Sequence, residues 1–252
     1  MYRSVYDIKG FYNSRIGRVV RRVLQERIRE IWPETKGLRV AGCGYAVPYL
    51  RMFAGESERV FALMPAALGA HPWPQGHSAE ERNLVCLAEE SELPLETGSI
   101  DRLLLVHDME FSEHLKPHLQ EAWRILKPNG RMLVIVANRG GFWARADWSP
   151  LGQGTPYSAA QIHNYLRDNM FIHERTEEAL FMPPVRWSWI LKSAGFCEEI
   201  GRAFLPMAAG VHMVEATKQI YAARTDKGSG VRVVVRGRGY VPQPVPQGFS
   251  IL

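Results

Sequence analysis

The chain of 252 residues is poor in cysteine and has no long apolar run and no metal-ligand or nucleophile spacing. Its three cysteines, Cys43, Cys86 and Cys197, are odd in number, and none stands in a CxxC pair. That excludes a disulfide scaffold and a cysteine-based zinc site, and it fits a reducing compartment, so a cytoplasmic protein is expected. No apolar stretch approaches the roughly 18–20 residues of a membrane span, and no transmembrane segment is expected. The opening MYRSVYDIKG has no apolar core, so a secretory leader is not expected either. HExxH and comparable ligand spacings are missing, which argues against a metal site. A hydrolase would need a GxSxG elbow. The nearest approach, Gly228-Ser229-Gly230, lacks that spacing.

What is present is an ordinary packed composition, 46% hydrophobic and 23% charged. The net charge of +5 is uneven. Residues 1–36 carry nine Lys and Arg against four Asp and Glu, and residues 223–252 carry five against one, so the middle has an acidic excess. Two readings of these basic ends stand: a solvated surface, or attraction to phosphate in a nucleic acid or an anionic membrane. The pattern divides the chain into a basic helical segment at 1–36, a main domain at 37–222 and a basic tail at 223–252 that is expected to be disordered.

Apolar positions in SRIGRVVRRVLQERIREIW (14–32) recur at three- and four-residue steps, which predicts an amphipathic helix with Ser14 as its cap and Pro33 as its stop. Short apolar runs at 37–41, 58–64, 83–87, 100–107 and 131–138 predict strands. Helices are expected at 111–126 with Ser112 as cap, at 158–169 with Ser158 as cap, and at 186–196 with Gly195 as stop. KPNG at 127–130 reads as a turn. Further strands are expected at 175–182 and 210–222. Alternation of this kind means a doubly wound, mostly parallel α/β sheet with helices on both faces.

The first strand runs into a glycine turn, Ala41-Gly42-Cys43-Gly44-Tyr45-Ala46. Taken with ELPLETGSID (92–101) and WRILKPNGRMLVIV (123–136), it resembles the class I S-adenosylmethionine-dependent methyltransferases, most closely those acting on small molecules and lipids. The likeness covers residues 37–138 well. It implies a seven-stranded Rossmann-like methyltransferase fold and S-adenosylmethionine as cofactor. It further implies that Gly42, Cys43, Gly44 and Tyr45 border the cofactor, that Met64 stands at the end of the second strand beside it, and that Glu89, Glu90 and Ser91 lie near its adenine amine. Val106 would stand where cofactor and substrate meet.

Two positions depart from that family's pattern. Val40 stands where an acid usually precedes the glycine turn, and Met64 where an acid usually grips the ribose. Loss of the ribose acid removes two charge-assisted hydrogen bonds, worth roughly 1.5–3 kcal/mol each. Trp73 or backbone groups in the 65–82 loop are candidates for compensation. A module that keeps the fold without turnover therefore stands beside a working enzyme.

Methyl transfer depends mainly on holding the acceptor in line with the methyl group. A base is needed when the acceptor arrives protonated, and His107 is the candidate, with Asp108 and Glu110 to orient it. No Asn-Pro-Pro-Tyr follows the fourth strand, where Val106-His107-Asp108-Met109 stands, which lowers exocyclic or amide nitrogens as acceptors. The loop 139–158 is the expected acceptor wall. Arg139, Trp143, Arg145 and Tyr157 combine cations with flat rings, suited to an aromatic or anionic small-molecule or lipid-like acceptor. Packing of those rings onto the sheet is the competing reading. Arg232, Arg236, Arg238 and Tyr240 in VRGRGY form one short segment that could stack on single-stranded RNA, a weaker partner reading.

Overall fold

A computed structural model describes residues 4–74, 82–185, 187–204 and 208–219. These belong to one compact unit, Met1–Ile220. The second unit, Tyr221–Leu252, holds the expected disordered tail and its VRGRGY segment and lies outside the described residues.

Two helices lead into the sheet. The second, α2 (Arg15–Ile31), is the expected amphipathic helix, and Ser14 caps it by accepting from the Gly17 N–H at 3.1 Å. Before it stands a helix the sequence reading does not contain, α1 (Val5–Asn13), which buries Val5, Ile8, Phe11 and Tyr12. Gly17 makes the α1–α2 corner possible. A Cβ there would lie 2.0 Å from the Phe11 carbonyl oxygen.

The sheet then follows: β1 (Arg39–Gly44), the short helix α3 (Val47–Leu50), β2 (Arg59–Pro65), β3 (Val85–Ala88), β4 (Ile100–Val106), α4 (Leu115–Ile125), β5 (Leu126–Ala137), α5 (Ala159–Asp168), β6 (Phe171–Ala179), α6 (Ser188–Lys192), α7 (Ala194–Phe204) and β7 (Val211–Lys218). Seven strands run in the order β3-β2-β1-β4-β5-β7-β6. All pairs are parallel except those of β7, which is antiparallel to both neighbours. The expected doubly wound, mostly parallel sheet is present. Strands covered on both faces read as continuous apolar runs, and β4 shows why. Leu104 and Val106 enter the cluster shared with α1 and α2, whereas Leu103 and Leu105 enter the one shared with α4 and α5.

Several boundaries differ from expectation for local reasons. Helix α4 starts at Leu115 with His114 as N-cap, not at Ser112, because the Phe111 and Ser112 N–H groups bond back to the Asp108 carbonyl and make a separate turn. The KPNG segment lies inside β5, with Asn129 in the left-handed region (φ 63°) and a register shift between Ile100 and Arg102. Gly195 does not stop a helix. The break falls at Ser193, whose hydroxyl bonds to the Trp189 and Ile190 carbonyls, and Gly195 lies in the first turn of α7. Strand β6 starts at Phe171, four residues early, because Met170 (φ 64°) turns the chain straight out of α5 into pairing with β7.

One buried carboxylate ties the leading helices to the far side of the sheet. Glu215 on β7 accepts from Trp32 Nε1 (2.9 Å), Arg131 (3.2 Å) and Arg175 (2.9 Å), and Arg175 also donates to the Ile31 carbonyl at the end of α2 (2.7 Å).

Candidate functional site

The carboxyl ends of β1–β4 share one edge of the sheet, and the chain reverses its order of travel between β1 and β4. That switch point is where open α/β sheets bind ligands. Gly44 ends β1 at φ 72°, and a Cβ there would stand 2.4 Å from the Val106 carbonyl oxygen. Only glycine lets the loop after β4 close this far, and the Tyr45 N–H seals it with a 2.7 Å bond to the same oxygen.

Three tyrosines and His107 meet at this mouth. Tyr12 from α1 stacks on Tyr45 with ring centroids 5.7 Å apart. Its hydroxyl accepts from the Tyr49 hydroxyl (2.8 Å) and lies 2.7 Å from His107 Nε2. A hydroxyl that accepts from Tyr49 has its own proton left for His107, so Nε2 is the acceptor and Nδ1 carries the hydrogen. Burial pushes the His107 imidazole down to about 3, which fits that neutral ring. Burial also raises all three tyrosines. His107 sits at φ 49°, a conformation non-glycine residues seldom adopt outside functional or strained segments. Asp108 and Glu110 do not orient His107. Asp108 turns to His118 on α4, and Glu110 accepts from the Ala137 N–H at 3.1 Å.

His118 is a residue the sequence reading passed over. Its Nε2 stands 2.5 Å from Asp108 Oδ2, and its Nδ1 3.1 Å from the Glu90 carbonyl oxygen. Both partners are acceptors, so both ring nitrogens must carry protons and the ring is an imidazolium. Burial alone would lower its pKa, but the facing Asp108 carboxylate overrides this and pushes it up to about 9. His118 therefore clamps the loop after β3 to the loop after β4. Glu110, also fully buried, is driven the other way: desolvation lifts its carboxyl to about 7.

The loops that His118 joins enclose a recess of about 110 Å³. Glu89, Glu90 and Ser91 line it on one side, Ala66 and Ala67 on another, and Phe111 on a third. Three of the residues assigned to the cofactor from the sequence thus come together. Burial raises the Glu90 carboxyl. The side chains of Cys43 and Met64 do not reach this recess. Cys43 is buried toward α4 and α5, with its thiol raised by burial, and Met64 is buried toward α1 and α2. Gly42 and Val106 lie inside the sheet, where a Cβ on Gly42 would meet the Ala46 and Leu50 side chains. Val40 is a buried core residue.

The expected acceptor wall divides. Trp143 and Tyr157 are buried and donate to the Met182 (2.7 Å) and Met109 (3.1 Å) carbonyls, so they pin the 139–158 loop down and present no face to an acceptor. Arg139 and Arg145 are exposed, and neither lines the recess. A second cavity, of about 220 Å³, opens instead between α1, α2, the start of α3 and the segment after β2, with Tyr12 and Tyr45 in its wall.

Residues 41–134 match the family model described as a methyltransferase domain. Residues 41–134 are thus similar to methyltransferase domains, and the seven-stranded sheet is the Rossmann-like fold of such enzymes. The fold agrees. An S-adenosylmethionine-dependent methyltransferase from Archaeoglobus fulgidus superposes with a TM-score of 0.57 at 16% identity, over 83% of this chain and 97% of that one. One from Mesorhizobium loti gives 0.56 at 16% identity, over 77% and 96%. The [4+2]-cyclase SpnF, at 0.54 and 17% identity over 79% and 80%, also shares the fold. No curated protein matches the sequence significantly.

S-adenosylmethionine is the cofactor that this likeness indicates. The residues present fit its adenosine end. The recess offers small apolar walls to a flat ring and the carboxylates of Glu89 and Glu90 to an exocyclic amine. At the end of β2 stand Met64 and Pro65, so that strand end offers no acid to a ribose. At the glycine turn, the stacked Tyr12 and Tyr45 rings form an apolar wall.

Proposed function

We propose that this chain transfers a methyl group from S-adenosylmethionine to a small or lipid-like acceptor. The observation that carries the reading is the recess between the loops after β2, β3 and β4, held in shape by the His118 imidazolium. When bound, the cofactor supplies a methyl group on a positively charged sulfur, open to in-line displacement. The work left to the chain is positioning and exclusion of water. Tyr12, Tyr45 and Tyr49 supply a buried, water-poor wall beside the glycine turn. His107 holds Tyr12 by accepting its hydroxyl proton, and with its basicity suppressed by burial it is a positioning residue and not the base. Glu110 is buried, lines neither cavity and accepts from the Ala137 N–H, so its raised carboxyl is a core group and not one placed to meet an acceptor.

Calorimetric titration of the full chain with S-adenosylmethionine and S-adenosylhomocysteine tests the reading. Micromolar binding is expected, and Ala67→Trp, which fills the recess from an exposed position, should abolish it with the circular dichroism spectrum unchanged. Absence of binding up to millimolar ligand would overturn the proposal in favour of a module that keeps the fold without turnover.

A further inference from the structure

The second cavity is built for an anion. Lys9, Arg21 and Arg51 line its 220 Å³, and among the described residues no Asp or Glu does. None of the three cations takes part in a salt bridge among the described residues. Lys9 and Arg21 are half-buried, so their charges stand in a medium where water screens them less than on an open surface. Trp73 lines the same cavity. It is 3% exposed, and its Nε1–H has no acceptor among the described residues. That nitrogen is itself closed off from the cavity, so the cations carry the charge recognition. Three cations and the rings of Tyr12, Tyr45 and Trp73 make a pocket for an acid group carried on a small, flat molecule.

The chemistry of the lining also says which acid. The methionine end of the cofactor carries an ammonium beside its carboxylate and is neutral as a whole. Three unpaired cations and no carboxylate suit a net negative group better than that zwitterion. Tyr12 in the cavity wall is bonded to His107 at the end of β4, which places the cavity beside that end of the sheet.

We infer that this cavity is the acceptor's anion subsite, so that the acceptor carries a carboxylate or phosphate group held by Lys9, Arg21 and Arg51. The inference rests on the methyltransferase reading for the word acceptor, but the anion site is testable without it.

The probes are sodium benzoate and inorganic phosphate, titrated into the full chain at 150 mM sodium chloride. Binding is followed by Trp fluorescence and by calorimetry, with and without saturating S-adenosylhomocysteine. Saturable millimolar binding of at least one probe is expected. It should weaken at least tenfold in Arg21→Gln and in Lys9→Gln, and stay unchanged in Arg22→Gln, an exposed neighbour on α2 that does not line the cavity. Affinity for S-adenosylhomocysteine should change less than threefold in all three variants. Two variants on different helices guard against loss of one to misfolding. If Arg21→Gln weakens S-adenosylhomocysteine tenfold and the probes compete with it, the pocket holds the cofactor's carboxylate and the inference falls. If neither probe binds, or Arg22→Gln weakens binding as much as Arg21→Gln, it falls as well. Loss of S-adenosylhomocysteine binding in the wild type would instead strike at the methyltransferase reading, and the probe titrations would still decide the pocket.

Discussion

His118 and Asp108 form a buried ion pair, Nε2 to Oδ2 at 2.5 Å, with both side chains 1% exposed. The second nitrogen of His118 donates to the Glu90 carbonyl, so deprotonation would leave one of two buried acceptors without its hydrogen. The imidazolium has a folded pKa near 9 against about 6.5 unfolded. A raised pKa of this kind stabilises fully below about pH 6.5, and that stability is lost as pH climbs through 9. The shift corresponds to roughly 3 kcal/mol. Thermal melts should therefore show a fall between pH 7 and pH 10 that shrinks in His118→Gln. The same variant should weaken S-adenosylhomocysteine at least fivefold at pH 7, because it loosens the two loops around the recess. Equal pH slopes in wild type and variant would mean that His118 is neutral in the fold.

Glu110 makes the opposite kind of statement. Its carboxyl is buried and raised to about 7, from about 4.3 when unfolded. Between those values the folded chain holds a proton that the unfolded chain has lost, so stability falls as pH rises from about 4 to 7 and is level above. Glu110→Gln keeps an acceptor for the Ala137 N–H and removes the titration. The variant should be more stable than the wild type by about 1–3 kcal/mol at pH 8 and nearly equal to it at pH 4.5. Methyl transfer should change less than threefold in it, because Glu110 lines neither cavity. A tenfold loss of turnover in Glu110→Gln would instead bring this carboxyl into the chemistry.

Glu215 is 1% exposed, and its partners Arg131 and Arg175 are about two-fifths exposed. The asymmetry decides which substitution hurts. Glu215→Gln frees two arginines that can reach water, and costs mainly the charge-assisted bonds, about 2 kcal/mol. Replacing both arginines with methionine instead leaves a buried carboxylate held by Trp32 alone, at a cost of about 3–5 kcal/mol. Urea denaturation of the two variants should rank them in that order. The reverse ranking would mean that water reaches the carboxylate.

Elements set by local chemistry were legible in the sequence. Ser14 and Ser158 cap helices because their hydroxyls accept from the N–H groups three residues on, and the strand runs are apolar on both faces because helices cover both. The recess residues Glu89, Glu90 and Ser91 were reachable because they follow a strand in a family-like segment. Contacts between distant segments were not. Nothing local marks Tyr12 as a partner of His107, 95 residues away, or Trp143 as a bond to Met182. Loop aromatics read equally as wall or as anchor until burial decides. His118 did leave a signal, as a lone polar residue in the buried stripe of Leu119, Ala122 and Ile125 on α4.

The Tyr49–Tyr12–His107 chain fixes a tautomer, and that can be seen directly. With the Tyr12 hydroxyl donating to Nε2, His107 must carry its own hydrogen on Nδ1 across the whole physiological range. Nitrogen-15 spectra of histidine-labelled protein should show one ring as a neutral Nδ1–H tautomer that does not titrate between pH 5 and pH 9, beside His118, which stays charged until about pH 9. Tyr12→Phe removes the donor and leaves both the Tyr49 hydroxyl and Nε2 buried without a partner. It should cost about 1–3 kcal/mol in stability and release the His107 tautomer preference. Its effect on S-adenosylhomocysteine should be small, because the stacked ring on Tyr45 is kept, whereas Tyr12→Ala removes the ring and should weaken binding at least tenfold. If phenylalanine and alanine weaken the ligand equally, the hydroxyl chain and not the ring wall is what the site depends on.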